Sequence, residues 1–234
     1  MVIPTIFIKN KYIPTSLLAL VMGWHNELPT KLRMLDLFSG LGGASEAMLQ
    51  SDNWEVIRVE NNEELLGHVP RTFIFDVKDL AEEERWRLFT YDDLCVPDLI
   101  WASPPCLGFS TAYAAPRSIA QRNGEEYHPD LSLVIAAVKL IDYIQPDYYC
   151  IENVKGSIKY IEPILGPPTQ ILGPFVLWHN MPSIIMPQSW SHRKSDGDTW
   201  SSDPLRPNRR ALIPYDLSNA VRIACESPTL WRWQ

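Results

Sequence analysis

The stretch Arg33-Met-Leu-Asp36-Leu-Phe38-Ser39-Gly40-Leu-Gly42-Gly43-Ala-Ser45-Glu46-Ala-Met-Leu-Gln50 decides the fold. Its first six residues form a compact apolar run of the kind that makes a parallel strand covered on both faces. Three glycines in four positions then turn the chain, and Glu46–Gln50 has helical composition. Strand, glycine-rich turn and helix in succession open a doubly wound α/β sheet. In such a sheet the backbone N–H groups of the turn approach a ligand, and the helix amino terminus favours a negative group. The spacing differs from GxGxxG, so the turn by itself does not identify the ligand.

Downstream, Trp54-Glu-Val-Ile-Arg-Val-Glu60 reads as the second strand, ending in an acid about twenty residues after the turn. A carboxylate at that place can accept both hydroxyls of an adenosine ribose, although an exposed strand-end glutamate has the same appearance. Thr72-Phe-Ile-Phe-Asp76 is expected to be a short third strand, and its terminal Asp76 is either a ligand contact or a turn residue. Asp79–Arg87 is expected to be a solvated helix without chemistry.

Pro97-Asp-Leu-Ile-Trp-Ala-Ser103 is a further buried strand, stopped by Pro104-Pro105, with Cys106 directly behind. The cysteine is therefore presented at a strand's carboxyl edge, where open α/β sheets place their ligands. A thiol held there can act as a nucleophile, and one cysteine after a strand is as compatible with a buried structural thiol. Leu107–Asp130 has no clear periodicity and reads as a loop of over twenty residues, a length usual for a lid or binding loop. Asp130–Ile144 reads as a core helix and Pro146–Glu152 as the next strand, with Glu152-Asn153-Val154 at its carboxyl end. Cys106 and Glu152 then stand at one edge of neighbouring strands, a pairing suited to nucleophilic attack and proton management.

The remainder is loop-rich: half of the twenty prolines lie beyond residue 160. Thr169–Trp178 contains one or two strands, residues 187–210 look irregular, and Pro214–Cys225 reads as a final helix with Pro214 in its first turn. At the other end, Thr15-Ser16 can cap a short helix through Met22 that packs against the sheet.

The chain has 234 residues, 46% of them hydrophobic and 21% charged, which suits one soluble α/β domain with a small appendage. The apolar run Leu17–Gly23 is too short to span a bilayer and lacks the flanks of a signal peptide, so a cytoplasmic setting without membrane contact is expected. Four scattered cysteines, Cys95, Cys106, Cys150 and Cys225, form no CxxC pair, which argues against a metal site and against a disulfide framework. The net charge of −7 is uneven. From Pro187 onward seven Lys/Arg face five acids, whereas the first 186 residues carry fourteen basic and twenty-three acidic side chains. A phosphate backbone would meet the carboxyl-terminal part, unless that charge is merely a solvated face.

Taken together, these pieces resemble the S-adenosylmethionine-dependent DNA cytosine-5 methyltransferases over residues 33–154. Asp36-Leu-Phe-Ser-Gly-Leu-Gly-Gly43 resembles the family's cofactor motif, Ser103-Pro-Pro-Cys106 with Gly108-Phe109-Ser110 its catalytic motif, and Glu152-Asn153-Val154 its ENV motif. The resemblance implies a Rossmann-like, mostly parallel, doubly wound sheet with a small loop-rich carboxyl-terminal region. It implies three parts: a core over 1–165 with 1–30 as an extension, a reduced target-recognition region with core strands over 166–212, and a helix over 213–234 packed back on the core.

The implied reaction is methyl transfer from S-adenosylmethionine to carbon 5 of a flipped-out DNA cytosine, through a Cys106–C6 adduct. Cys106, Glu152, Asn153 and Arg193 are the implied catalytic residues. Asp36, Phe38, Ser39, Gly40, Gly42, Gly43, Glu60, Asp76, Val77 and Pro104 would bind the cofactor. Pro105, Phe109, Ser110, Arg209 and Arg210 would bind the substrate. The sequence also departs from the family: Leu107 stands where a glutamine commonly follows the cysteine, and Trp190 and His192 stand where two arginines are expected. The same motifs admit an RNA (tRNA) cytosine as substrate, or a catalytically degenerate member that only binds DNA or a partner.

Overall fold

The computed structural model describes residues 31–65, 67–70, 72–82, 96–192 and 204–227. The chain divides at Lys31, and the fold belongs to the larger unit, Leu32–Gln234. The expected helix at Thr15–Met22 lies outside the described residues.

Among the described residues seven strands form one sheet in the order β3-β2-β1-β4-β5-β7-β6. They are β1 (Leu32–Leu37), β2 (Trp54–Glu60), β3 (Thr72–Ile74), β4 (Leu99–Ala102), β5 (Tyr148–Val154), β6 (Gln170–Leu172) and β7 (Phe175–His179). β1 to β5 run parallel, and the β6–β7 hairpin closes one end antiparallel to β5. The helices are α1 (Glu46–Leu49), α2 (Val77–Leu80), α3 (Pro116–Asn123), α4 (Ser132–Ile144), α5 (Ile158–Leu165), α6 (Arg206–Ala211) and α7 (Tyr215–Glu226). This is the expected mostly parallel, doubly wound α/β fold.

The apolar runs become central strands because both faces are covered. On one face Met34, Val56, Leu99, Trp101 and Cys150 pack against Met48 of α1 and against Leu217 and Val221 of α7. On the other, Leu35, Leu37, Ile100, Ala102 and Ile151 pack against Val134, Ala137, Leu140 and Ile141 of α4. Ser218 of α7 fastens its helix to α1, since its hydroxyl donates to the Ala44 carbonyl at 2.7 Å and accepts from Ala47 N at 3.0 Å.

Four expectations need correction. Leu107–Asp130 is not one long loop: a 3-10 turn covers Leu107–Phe109 and α3 covers Pro116–Asn123. α3 begins on proline and ends at Gly124, whose φ of 71° is the left-handed conformation of a helix stop, yet it buries only Ala120, so no apolar period marked it. Likewise α6 interrupts the region read as irregular and buries none of its residues. The helix expected over Asp79–Arg87 instead begins at Val77, buries Val77 and Leu80 and stops at Leu80. Residues 83–95 lie outside the described residues. Finally, Pro214 is the cap residue of α7, just outside its first turn.

Candidate active site

Strand register builds the site. Leu37 of β1 pairs with Ala102 of β4, which pairs with Ile151 of β5. Phe38 and Ser103 therefore leave their strands at the same carboxyl edge, level with Glu152, which stays in β5 and pairs with Leu177 of β7, and Ser103 N donates to the Leu37 carbonyl at 3.3 Å. β1 has β2 on one side and β4 on the other, so strand order reverses there and opens the crevice in which such sheets bind ligands.

The glycine-rich turn is held in an uncommon conformation. Phe38 (φ 59°), Gly40 (φ 53°) and Gly42 (φ 77°) are all left-handed, and for Phe38 this costs strain that the surroundings must hold. Gly40 N donates to Glu60 Oε2 at 2.8 Å, and Asn61 N and Asn62 N donate to Glu60 Oε1, each at 3.0 Å. Glu60 is half-buried and is thus aimed at the turn by backbone donors, with lone pairs left over on both oxygens. Beneath the turn lies Asp36, buried and bonded through Oδ2 to the Ser45 hydroxyl. Burial pushes the Asp36 carboxyl up to about 6, against the pull of the Ser45 hydroxyl and of Arg58. Asp36 Oδ1 and Ser39 Oγ are buried without a hydrogen-bond partner among the described residues. Asp76 caps α2 by accepting from Lys78 N at 2.8 Å, and the side chain of Val77 is turned into the core.

Cys106 is half-buried, whereas Cys150 and Cys225 are wholly inside, and burial drives the Cys150 thiol well above its ordinary range. Of the described cysteines, only Cys106 combines a loop position with access. Pro104 is buried and Pro105 exposed. The Asn153 amide donates to the Pro104 carbonyl at 3.0 Å, while Asn153 Oδ1 accepts from Val154 N. Glu152, 6% exposed, precedes it in β5. Phe109, expected to meet substrate, is only 2% exposed and places its ring 6.0 Å from that of Tyr160. Arg117 of α3 donates to the Gly156 carbonyl at 3.1 Å and reaches the Phe109 carbonyl at 3.5 Å, holding the turn after Cys106 against the turn after β5.

A cleft of about 480 Å³ opens beside these turns, lined among others by Ser110, Lys155, Gly156, Pro174 and His192. Trp190 and His192, at the positions where the resemblance calls for arginines, stack with an interplanar angle of 12°, and the His192 ring lies 5.3 Å from that of Phe175. Arg209 and Arg210 are exposed on α6 and do not line the cleft; Arg193 lies outside the described residues. Sequence reasoning missed two side chains, Arg58 and Arg117. Arg58 left a signal, because it shares strand parity with the buried Trp54 and Val56; Arg117 left none. Among the described residues no cluster of His, Cys, Asp and Glu could hold a metal ion, and no helix is long and apolar enough to cross a membrane.

The family model for C-5 cytosine-specific DNA methylases matches residues 32–160, which run from β1 through β5 and contain the glycine turn, Cys106 and Glu152. The chain is 27% identical over 126 residues to the type II methyltransferase M.HgiGI of Herpetosiphon aurantiacus, covering 54% of this chain and 93% of that protein. It is 27% identical over 129 residues to a probable DNA (cytosine-5)-methyltransferase of Frog virus 3 (isolate Goorha), covering 52% of this chain and 53% of that protein. A solved structure of a prophage-encoded putative DNA modification methyltransferase from E. coli is 29% identical, with a TM-score of 0.40, over 56% of this chain and 34% of that one. The Entamoeba histolytica methyltransferase EhMeth is 16% identical, with a TM-score of 0.39, over 58% of this chain and 43% of that one. The chain thus spans nearly all of one curated relative, about half of the other, and less than half of each of these two solved chains.

Proposed function

We propose, for a chain that belongs to the C-5 cytosine-specific DNA methylase family, that it methylates carbon 5 of cytosine in DNA with S-adenosylmethionine as donor. The observation that carries this reading is the meeting of the glycine turn, Cys106 and Glu152 at one carboxyl edge, across the point where strand order reverses.

The turn fits the donor. Asp36 Oδ1 and Ser39 Oγ are buried without partners among the described residues, and a Cβ built on Gly40 meets nothing within 4 Å, so polar capacity and space coincide. Asp36, Phe38, Ser39, Gly40, Gly42 and Gly43 would hold its methionine end, Glu60 the ribose, and Asp76, between β3 and α2, the adenine. When bound, S-adenosylmethionine supplies an electrophilic methyl group on sulfur.

Carbon 5 of cytosine is too weak a nucleophile to take that methyl unaided. The Cys106 thiolate adds to carbon 6, and the displaced electron pair makes carbon 5 enamine-like. Glu152 holds N3 and the exocyclic amine of the base, and so stabilises the charge that addition develops in the ring. Carbon 5 would take the methyl as its bond to the donor sulfur breaks, which leaves S-adenosylhomocysteine; passage of the carbon 5 proton to a base and departure of the Cys106 sulfur then restore the aromatic ring. A cytosine within a duplex reaches the thiol only after leaving the stack. The cleft beside Ser110 and Lys155 provides the adjoining surface for the strand.

The test is transfer of labelled methyl to duplex DNA, single-stranded DNA and tRNA, with Cys106→Ala alongside. Label at cytosine carbon 5 of DNA, lost in the variant, supports the reading. Label in tRNA alone transfers the same chemistry to RNA, and absence of label from all three contradicts the reading.

A further inference from the structure

Arg58 lies in the middle of β2, 0% exposed, on the face that Trp54 and Val56 turn into the core. An arginine so placed is costly unless its donors are satisfied. Here Nε donates to Ser45 Oγ at 2.8 Å, Nη2 to the Gly42 carbonyl at 3.1 Å and Nη1 to the Pro70 carbonyl at 3.2 Å. Ser45 in turn donates its hydroxyl proton to Asp36 Oδ2. One guanidinium thus joins the glycine turn, the start of α1, the end of β1 and the segment leading to β3.

The fit is close enough to dictate a neighbour. A Cβ on Gly42 would lie 2.8 Å from both Arg58 Cζ and Nη2, and 2.7 Å from Val69 Cγ1. The space that a side chain at position 42 would need is occupied by the guanidinium.

We propose that Arg58 is the positioning residue of the cofactor turn: its three-way bond holds Gly42 and Ser45 so that Ser39–Gly43 keeps the shape that receives S-adenosylmethionine. This rests on the donor assigned above. Arg58 approaches the turn from beneath and takes no part in the chemistry at Cys106 and Glu152, so its loss acts on cofactor affinity. A lysine keeps the charge but cannot span three acceptors with a planar fork.

The test is calorimetric titration of the full chain with S-adenosylhomocysteine, a non-reacting probe, comparing wild type, Arg58→Lys and Cys150→Ala. Cys150 packs in the same core face and makes none of these bonds, so its variant reports general loosening of the core. The expected result is at least a tenfold loss of affinity in Arg58→Lys, affinity within twofold of wild type in Cys150→Ala, and kcat within about threefold when donor saturates Arg58→Lys. If the lysine variant does not fold, Arg58→Gln is read in its place with the same expectation. Unchanged affinity in the Arg58 variant, or an equal loss in both variants, overturns the proposal. Absence of binding by the wild type overturns the donor assignment itself and is distinguishable from either.

Discussion

The Asn153 side-chain amide donates to the carbonyl of Pro104 at 3.0 Å, and by that bond the loop carrying Cys106 is tied to the strand carrying Glu152. The residues are 49 apart in sequence, and Asn153 is only 1% exposed. Strand register brings Cys106 and Glu152 to one edge, and this bond fixes the proline step between them. In the reaction proposed above, Asn153 is accordingly a positioning residue.

Replacing Asn153 by alanine leaves the buried Pro104 carbonyl without its donor and removes the acceptor for Val154 N. The expected cost is about 1–3 kcal/mol of stability. A displacement of the Cys106 loop by about an ångström is expected to lower kcat by roughly a hundredfold. Urea melts and single-turnover methyl transfer check both, with affinity for S-adenosylhomocysteine staying near wild type.

Gly156 sets the height of the turn after Cys106. A Cβ there would run into the Phe109 carbonyl oxygen and press on Arg117 Nη1. Its φ is not left-handed, so alanine meets no backbone penalty and the whole effect comes from this contact. Gly156→Ala is expected to cost about 1–3 kcal/mol as the turn is pushed off. A fall in kcat without loss of S-adenosylhomocysteine affinity would accompany it, whereas wild-type melting and kcat would show that the approach is looser than it looks.

Asp36 makes stability depend on pH. Burial raises its carboxyl from 3.8 to about 6 in the folded chain. Its protonated form is therefore favoured by folding: the contribution is full below about pH 4 and is lost as pH climbs through about 6. The difference amounts to roughly 3 kcal/mol. Asp36→Asn keeps an acceptor for the Ser45 hydroxyl and cannot ionise. Its Tm between pH 5 and 8 is expected to fall less than that of wild type, and parallel curves would contradict the assignment.

Much of this was legible in the sequence because parallel strands are written as short, mainly apolar runs. Arg33–Phe38, Pro97–Ser103 and Pro146–Glu152 each name a central strand, and the residues that stop them, the glycine turn and Pro104-Pro105, place the site at the carboxyl edge. α3 was missed because helices are read from a buried stripe, and α3 buries one alanine; Pro116 and Gly124 marked its ends without a period between them. Phe109 and Val77 were expected at the ligand and lie in the core, since an apolar residue inside a motif looks the same whether it touches a ligand or packs behind one. The Arg58 fork and the Asn153–Pro104 bond depend on which strands become neighbours, and a one-dimensional pattern carries that only after register is known.

The most direct measurement is covalent trapping. Duplex DNA with 5-fluorocytosine at the target site is incubated with the protein and S-adenosylmethionine, and the product is resolved by denaturing electrophoresis and peptide mass spectrometry. Fluorine at carbon 5 cannot leave as a proton does, so the elimination that frees the cysteine is blocked. The predicted result is a stable protein–DNA adduct, methylated on the base, with the modified peptide carrying the bond at Cys106 and no adduct from Cys106→Ser. Methyl transfer to ordinary cytosine by the Cys106→Ser protein, or an adduct mapped to another residue, would contradict the account.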